Sequence, residues 1–108
     1  MVLATLRMTI PTDKKSEALD FLRWVAEQTR CSPGCLSSRI YHDDAEENFL
    51  MVEELWTSQE DLDRHLQSDN YRHMLMLAET ASEPPEIKFQ TISASAGLEM
   101  VERARGAV

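Results

Sequence analysis

Glu54 sits in an alternating, mostly apolar stretch, Phe49-Leu50-Met51-Val52-Glu53-Glu54-Leu55-Trp56, where it shares a face with Leu50, Val52 and Trp56. A carboxylate on an apolar strand face is costly unless it is paired or hydrogen-bonded. It can serve there as a base or as the group that orients an imidazole. His65 is such an imidazole, one helical turn beyond Leu62 and beside Leu66. Imidazoles titrate near neutral pH, so a histidine on an inward stripe can act as a general base. Packing readings stand beside both roles. Glu54 could be a structural partner for an arginine or for helix backbone, and His65 a core histidine with its hydrogen bonds met. His42 and His73 lack such surroundings and read as exposed.

Other chemistries fit poorly. The only glycines are Gly34, Gly97 and Gly106, too scattered for a phosphate-cradling loop. Cys31 and Cys35 bracket Ser-Pro-Gly, three residues where a thioredoxin-type pair has two, and no second cysteine pair completes a zinc site. They read as two reduced thiols, with a disulfide across the turn as the alternative. The acidic run Asp43-Asp44-Ala45-Glu46-Glu47 lacks the glycine and spaced oxygens of a calcium loop. No metal site is expected.

These residues must be positioned by one domain, since the chain has 108 residues. Apolar residues make up 43% and charged residues 28%, a globular balance. Eleven Lys+Arg against nineteen Asp+Glu give a net charge of −8, which argues against nucleic acid and against anionic membrane surfaces. No apolar run is long enough to span a membrane, no signal peptide is visible, and the expected compartment is the cytoplasm.

Residues 2–10 alternate as a strand, with Val2, Ala4, Leu6, Met8 and Ile10 on one face. Residues 13–30 carry a helical stripe of Ala18, Leu22, Val25 and Thr29, with Thr12 and Asp13 as capping groups. Pro33-Gly34 ends it, and residues 35–42 form a second strand. Residues 48–57 form a third, apolar on both faces, as a covered central strand is. Thr57-x-x-Glu60 and Ser58-x-x-Asp61 open a second helix, which Ser68-Asp69-Asn70 interrupts and restarts before Glu83-Pro84-Pro85. Ile87, Phe89 and Thr91 mark a fourth strand, and Gly97 precedes a short helix at 98–105. The order strand, helix, strand, strand, helix, strand predicts an α+β, ferredoxin-like split βαβ domain over residues 1–94, with a tail at 95–108. Two helices cover one sheet face. The apolar second face predicts a homodimer through sheet-to-sheet packing.

Three segments together resemble the antibiotic biosynthesis monooxygenase (ABM) domain family, which includes quinol monooxygenase-like proteins. They are Cys31-Ser32-Pro33-Gly34-Cys35-Leu36, the Glu54-Leu55-Trp56 strand end, and Leu62-Asp63-Arg64-His65 followed by Ser68 and Tyr71. The likeness spans roughly residues 2–94. It implies a dimeric α+β barrel with a ligand cleft between sheet and helices, and monooxygenation without metal or flavin. Trp56 would then wall a planar substrate, Tyr71 and Tyr41 could reach the cleft, and His65 and Glu54 would be the catalytic pair. Haem-degrading members carry an Asn in strand one and a His further along helix two. Here those places read Leu6-Arg7-Met8 and Met74-Leu75, with His73 out of step, so haem is not expected. The resulting expectation is a cofactor-independent monooxygenase acting on a small aromatic or quinol substrate. The alternatives are a non-catalytic dimeric barrel binding a small hydrophobic ligand, and an isomerase of a small phosphorylated metabolite, a branch that resembles this chain at His65. Replacing His65 with alanine is expected to cost little stability.

Overall fold

The structure is a computed structural model that describes residues 1–106. The elements are β1 (Val2–Thr9), a 3-10 turn (Thr12–Lys14), α1 (Lys15–Arg30), β2 (Cys35–His42), β3 (Phe49–Trp56), α2 (Gln59–Leu66), α3 (Asp69–Ala78), β4 (Glu86–Thr91) and α4 (Leu98–Ala104). The four strands form one antiparallel sheet in the order β2-β3-β1-β4, which is the ferredoxin-like topology predicted above. Among the described residues no helix is long and apolar enough to cross a membrane.

Strict alternation in β1 and β3 sets the core. Val2, Ala4, Leu6 and Met8 on β1 lie beneath the helices beside Leu50, Val52, Glu54 and Trp56 on β3, and all eight are buried. The largest cluster joins Leu6, Met8, Leu50 and Val52 to Leu22 and Val25 of α1 and to Tyr71, Met74 and Ala78 of α3. A smaller one holds Val2, Ala4, Trp56 and Leu62. Along β3, Val52 belongs to the first cluster and Trp56 to the second, so Glu54 lies at the seam. Phe49, Met51 and Leu55, on the other face of β3, are half-buried.

The second helical stretch is two helices, because Ser68 ends one and caps the next. Its hydroxyl accepts from the Tyr71 backbone N–H at 3.2 Å and donates to the His65 carbonyl at 2.6 Å. Ser58 caps α2 in the same way, accepting from the Asp61 N–H at 3.2 Å. Thr12 and Asp13 do not cap α1. A 3-10 turn replaces the first helical turn there, and the Thr12 hydroxyl accepts from Asn48 Nδ2 at 2.8 Å instead. β4 is an edge strand whose Ile87 and Phe89, opposite Leu6 and Ala4, remain exposed, as do Leu98, Met100 and Val101 around α4.

Candidate active site

β3 places Glu54 and Trp56 two residues apart on the inner face, and the Trp56 indole N–H donates to Glu54 Oε1 at 3.2 Å. α2 lowers His65 onto the same oxygen, with Nε2 3.0 Å away. That contact lies off the axis of the ring N–H, so it is a close polar contact rather than an aligned hydrogen bond. The His65 ring stacks on Trp56, with centroids 4.7 Å apart and planes 30° from parallel. Tyr71, from the first turn of α3, meets the other side of His65 edge-on at 5.4 Å. All four side chains are buried, with Glu54 only 2% and His65 6% exposed. Glu54 and His65 are therefore in contact, with Trp56 and Tyr71 packed around them.

The unit adjoins two hollows. One, of about 140 Å³, is lined by Thr29, Pro33, Trp56, Arg64 and His65, with Ser32, Asp61, Ser68 and Asn70 completing its wall. The other, of only about 10 Å³, lies on the β4 side, where Glu54, Tyr71, Met74 and Phe89 meet Ala4 and Leu6. Electrostatics follow from burial. The Tyr71 hydroxyl is pushed above the ordinary phenol value, first by loss of solvent and then by the Glu54 charge. The same two causes, in the same order, raise the Cys35 thiol. Its Sγ donates to the Ser37 carbonyl at 3.4 Å, and both cysteines are free thiols. Asp61 is held below the usual carboxylate range because Thr57, Ser58 and Arg64 all hydrogen-bond to it.

Tyr41 does not join this group. Its strand partner is Met51, on the outer face of the sheet, and it lines a surface hollow with Arg7 and Phe49. A bulge between Cys35 and Ser37 is the reason. Counting by twos from Cys35, which packs with the inner cluster of Trp56, puts Tyr41 on the same side. The extra residue flips every later side chain of β2, so Ser38 and Ile40 face inward opposite Glu54 and Val52. Leu6 and Met74 are buried in the core, and His73 packs edge-on against Phe21 at 6.5 Å. Among the described residues no three His, Cys, Asp or Glu side chains gather as a metal site.

Thr29 was not singled out in the sequence, yet it lines the larger hollow, is only 1% exposed, and its hydroxyl has no hydrogen-bond partner. Its signal was there: it is the one polar member of the stripe Ala18, Leu22, Val25, Thr29. Ser38 Oγ and Glu54 Oε2 are likewise buried and unpartnered.

Comparison with known proteins agrees with this architecture. A candidate antibiotic biosynthesis monooxygenase from Deinococcus radiodurans superposes with a TM-score of 0.82 at 15% identity, over 90% of this chain and 97% of its own. Rv0793 from Mycobacterium tuberculosis gives 0.78 at 23% identity, over 89% of this chain and 98% of its own. At these identities the likeness is one of fold. An uncharacterised curated protein of Synechocystis is 29% identical over 85 residues, or 78% of this chain, and the chain spans 58% of that relative's length. The sequence model of the antibiotic biosynthesis monooxygenase family matches residues 1–75. On that match, and with the topology that carries it, the chain belongs to the antibiotic biosynthesis monooxygenase family.

Proposed function

We propose that the protein is a cofactor-independent monooxygenase that oxidises a small aromatic or quinol substrate with molecular oxygen, in the hollow beside Trp56 and His65. The observation that carries this reading is the Glu54–His65 contact of 3.0 Å at the wall of a cavity. A buried carboxylate beside Nε2 favours the tautomer protonated there, which leaves the lone pair on Nδ1. The neutral imidazole takes the phenolic proton, and Glu54 stabilises the imidazolium that forms. Trp56, itself buried against His65, adds apolar packing behind the hollow. The phenolate then attacks oxygen through an ortho or para carbon, and His65 returns its proton to the peroxide. The O–O bond breaks, water leaves, and the ring C–H becomes a carbonyl. One oxygen atom ends in the product and one in water, and the substrate supplies all four electrons. Tyr71 packs edge-on against His65, and burial keeps its hydroxyl neutral.

The test is oxygen uptake with a panel of phenols and quinols after exhaustive dialysis against a chelator. One oxygen should be consumed per substrate, without hydrogen peroxide. Absence of uptake, or stoichiometric peroxide, sinks the proposal.

The working unit in this reading is a homodimer in the cytoplasm, where Cys31 and Cys35 remain reduced. Phe49, Met51 and Leu55 form a half-buried apolar row on the outer sheet face, and a second copy is a natural cover. Sedimentation should give a dimer at micromolar concentration, and Met51→Lys should yield monomer or unfolded chain. A monomeric wild type would remove this part of the proposal.

A further inference from the structure

We infer that α4 is an exchanged arm: its apolar face docks on the β4 of a second copy of this chain, over Ile87 and Phe89, and closes the flank beside Glu54 and Tyr71. This rests on the homodimer reading above and goes beyond it. The receiving surface is the first argument. Ile87 and Phe89 stand opposite Leu6 and Ala4, so they continue the inner face of the sheet. The helices α1 and α3 pack on β1 and β3, while all six residues of β4 are exposed. Ile87 is 43% and Phe89 44% exposed. Phe89 also borders the small hollow that Glu54, Tyr71 and Met74 line, so whatever covers it becomes the outer wall of that hollow.

The helix is the second argument. At about 100° per residue, Leu98, Val101, Ala104 and Met100 fall within an arc of about 160°, and Glu102, Glu99 and Arg103 take the other side. This is an amphipathic helix, yet all seven of its residues are exposed. A helix this short is unstable in water without a surface to pack on. Its length of about 10 Å suits the strip from Ile87 to Phe89, which are about 7 Å apart along the strand. The third argument is reach. One chain holds both surfaces and leaves them apart. Its radius of gyration is 16.1 Å and its longest dimension 54 Å, where a compact domain of this length gives about 13 Å. The arm leaves the sheet where the Ile92 N–H donates to the Met1 carbonyl at 2.8 Å, close to the outer-face pair Leu3 and Leu55. It thus emerges at the rim of the face that packs on the second copy in the dimer reading. Stacked sheets lie about 10 Å apart, and the six residues 92–97 span up to about 20 Å when extended. The arm can therefore pass the partner's sheet and reach its inner side.

The experiment is sedimentation equilibrium of the full chain carrying Val101→Glu, of the full chain carrying Phe89→Lys, and of their equimolar mixture. Both positions are exposed in the single chain, so thermal melting should find each variant folded. Each alone should dimerise at least about tenfold more weakly than wild type, because an unpaired charge meets an apolar surface. Leu98→Glu, at a position 69% exposed, should behave as Val101→Glu does. The mixture should recover dimerisation to within about threefold of wild type. In the mixed dimer the introduced amine of one chain faces the introduced carboxylate of the other, and the second junction stays native. If α4 folds back on its own β4, every chain in the mixture keeps a mismatched junction. Absence of recovery therefore overturns the inference, as does Val101→Glu or Phe89→Lys dimerising as tightly as wild type. A dimer that Met51→Lys splits and Val101→Glu leaves intact keeps the homodimer reading and discards the arm. A dimer that Val101→Glu splits and Met51→Lys leaves intact keeps the arm and discards packing through the outer sheet face.

Discussion

His65→Ala is expected to lower turnover by about 10²–10⁴ and to destabilise the fold by about 1–3 kcal/mol. The kinetic part follows from loss of the proton acceptor. Any rise of rate with pH across the range where imidazoles titrate should vanish with it. The stability part reverses what the sequence suggests, where alanine leaves only a small hole. Glu54 is 2% exposed, its Oε2 has no partner, and Oε1 would keep only the Trp56 N–H. An uncompensated buried carboxylate is far costlier than a void. The melting temperature should drop by at least about 4 °C. Glu54→Gln in the alanine background removes the stranded charge, so the double variant should recover much of the stability and none of the activity. A single variant as stable as wild type would mean that Glu54 does not depend on His65.

Gly34→Ala should be nearly as damaging to the fold, at about 2–5 kcal/mol, although it removes nothing. Gly34 has φ +85°, a left-handed conformation that costs any other residue. A Cβ there would lie 2.3 Å from Cγ and Oδ2 of Asp61. Asp61 cannot easily withdraw, since Thr57, Ser58 and Arg64 all hold it. The Gly34 carbonyl accepts the Thr57 N–H at 2.9 Å, which ties the start of β2 to the end of β3. Pro33, Asp61 and Arg64 line the hollow, so ligand affinity should fall along with stability. Asp61→Ala in the same chain should relieve the clash but not the backbone cost. Chemical denaturation showing a loss below about 1 kcal/mol would contradict this account.

Much of this was legible in the sequence, because two periodicities carried it. Alternation put Glu54 and Trp56 on one strand face, and the helical repeat put His65 on an inward stripe with Leu62 and Leu66. The interruption at Ser68 marked the break between α2 and α3. Other features depended on tertiary placement. A bulge adds one residue without a compositional mark, so the outward facing of Tyr41 could not be read from alternation. Thr29 gained its role only when α1 came to lie beside the α2–α3 junction, and Asp61 when the turn at Gly34 closed onto it. Hydrogen bonds between distant elements decided how Thr12 was used, where local pattern had suggested a cap.

The break between α2 and α3 also bears on how the family's binding space can diversify. Inside one continuous helix, an inserted residue turns everything after it by about 100° and would carry Tyr71 and Met74 out of the core. Here His65 and Tyr71 belong to separate helices, each with its own serine cap at Ser58 and Ser68. Chain length can therefore vary at Gln67–Ser68 while both helices keep their inward stripes. Ser68 and Asn70 line the hollow, so its width at this end depends on the length of the junction.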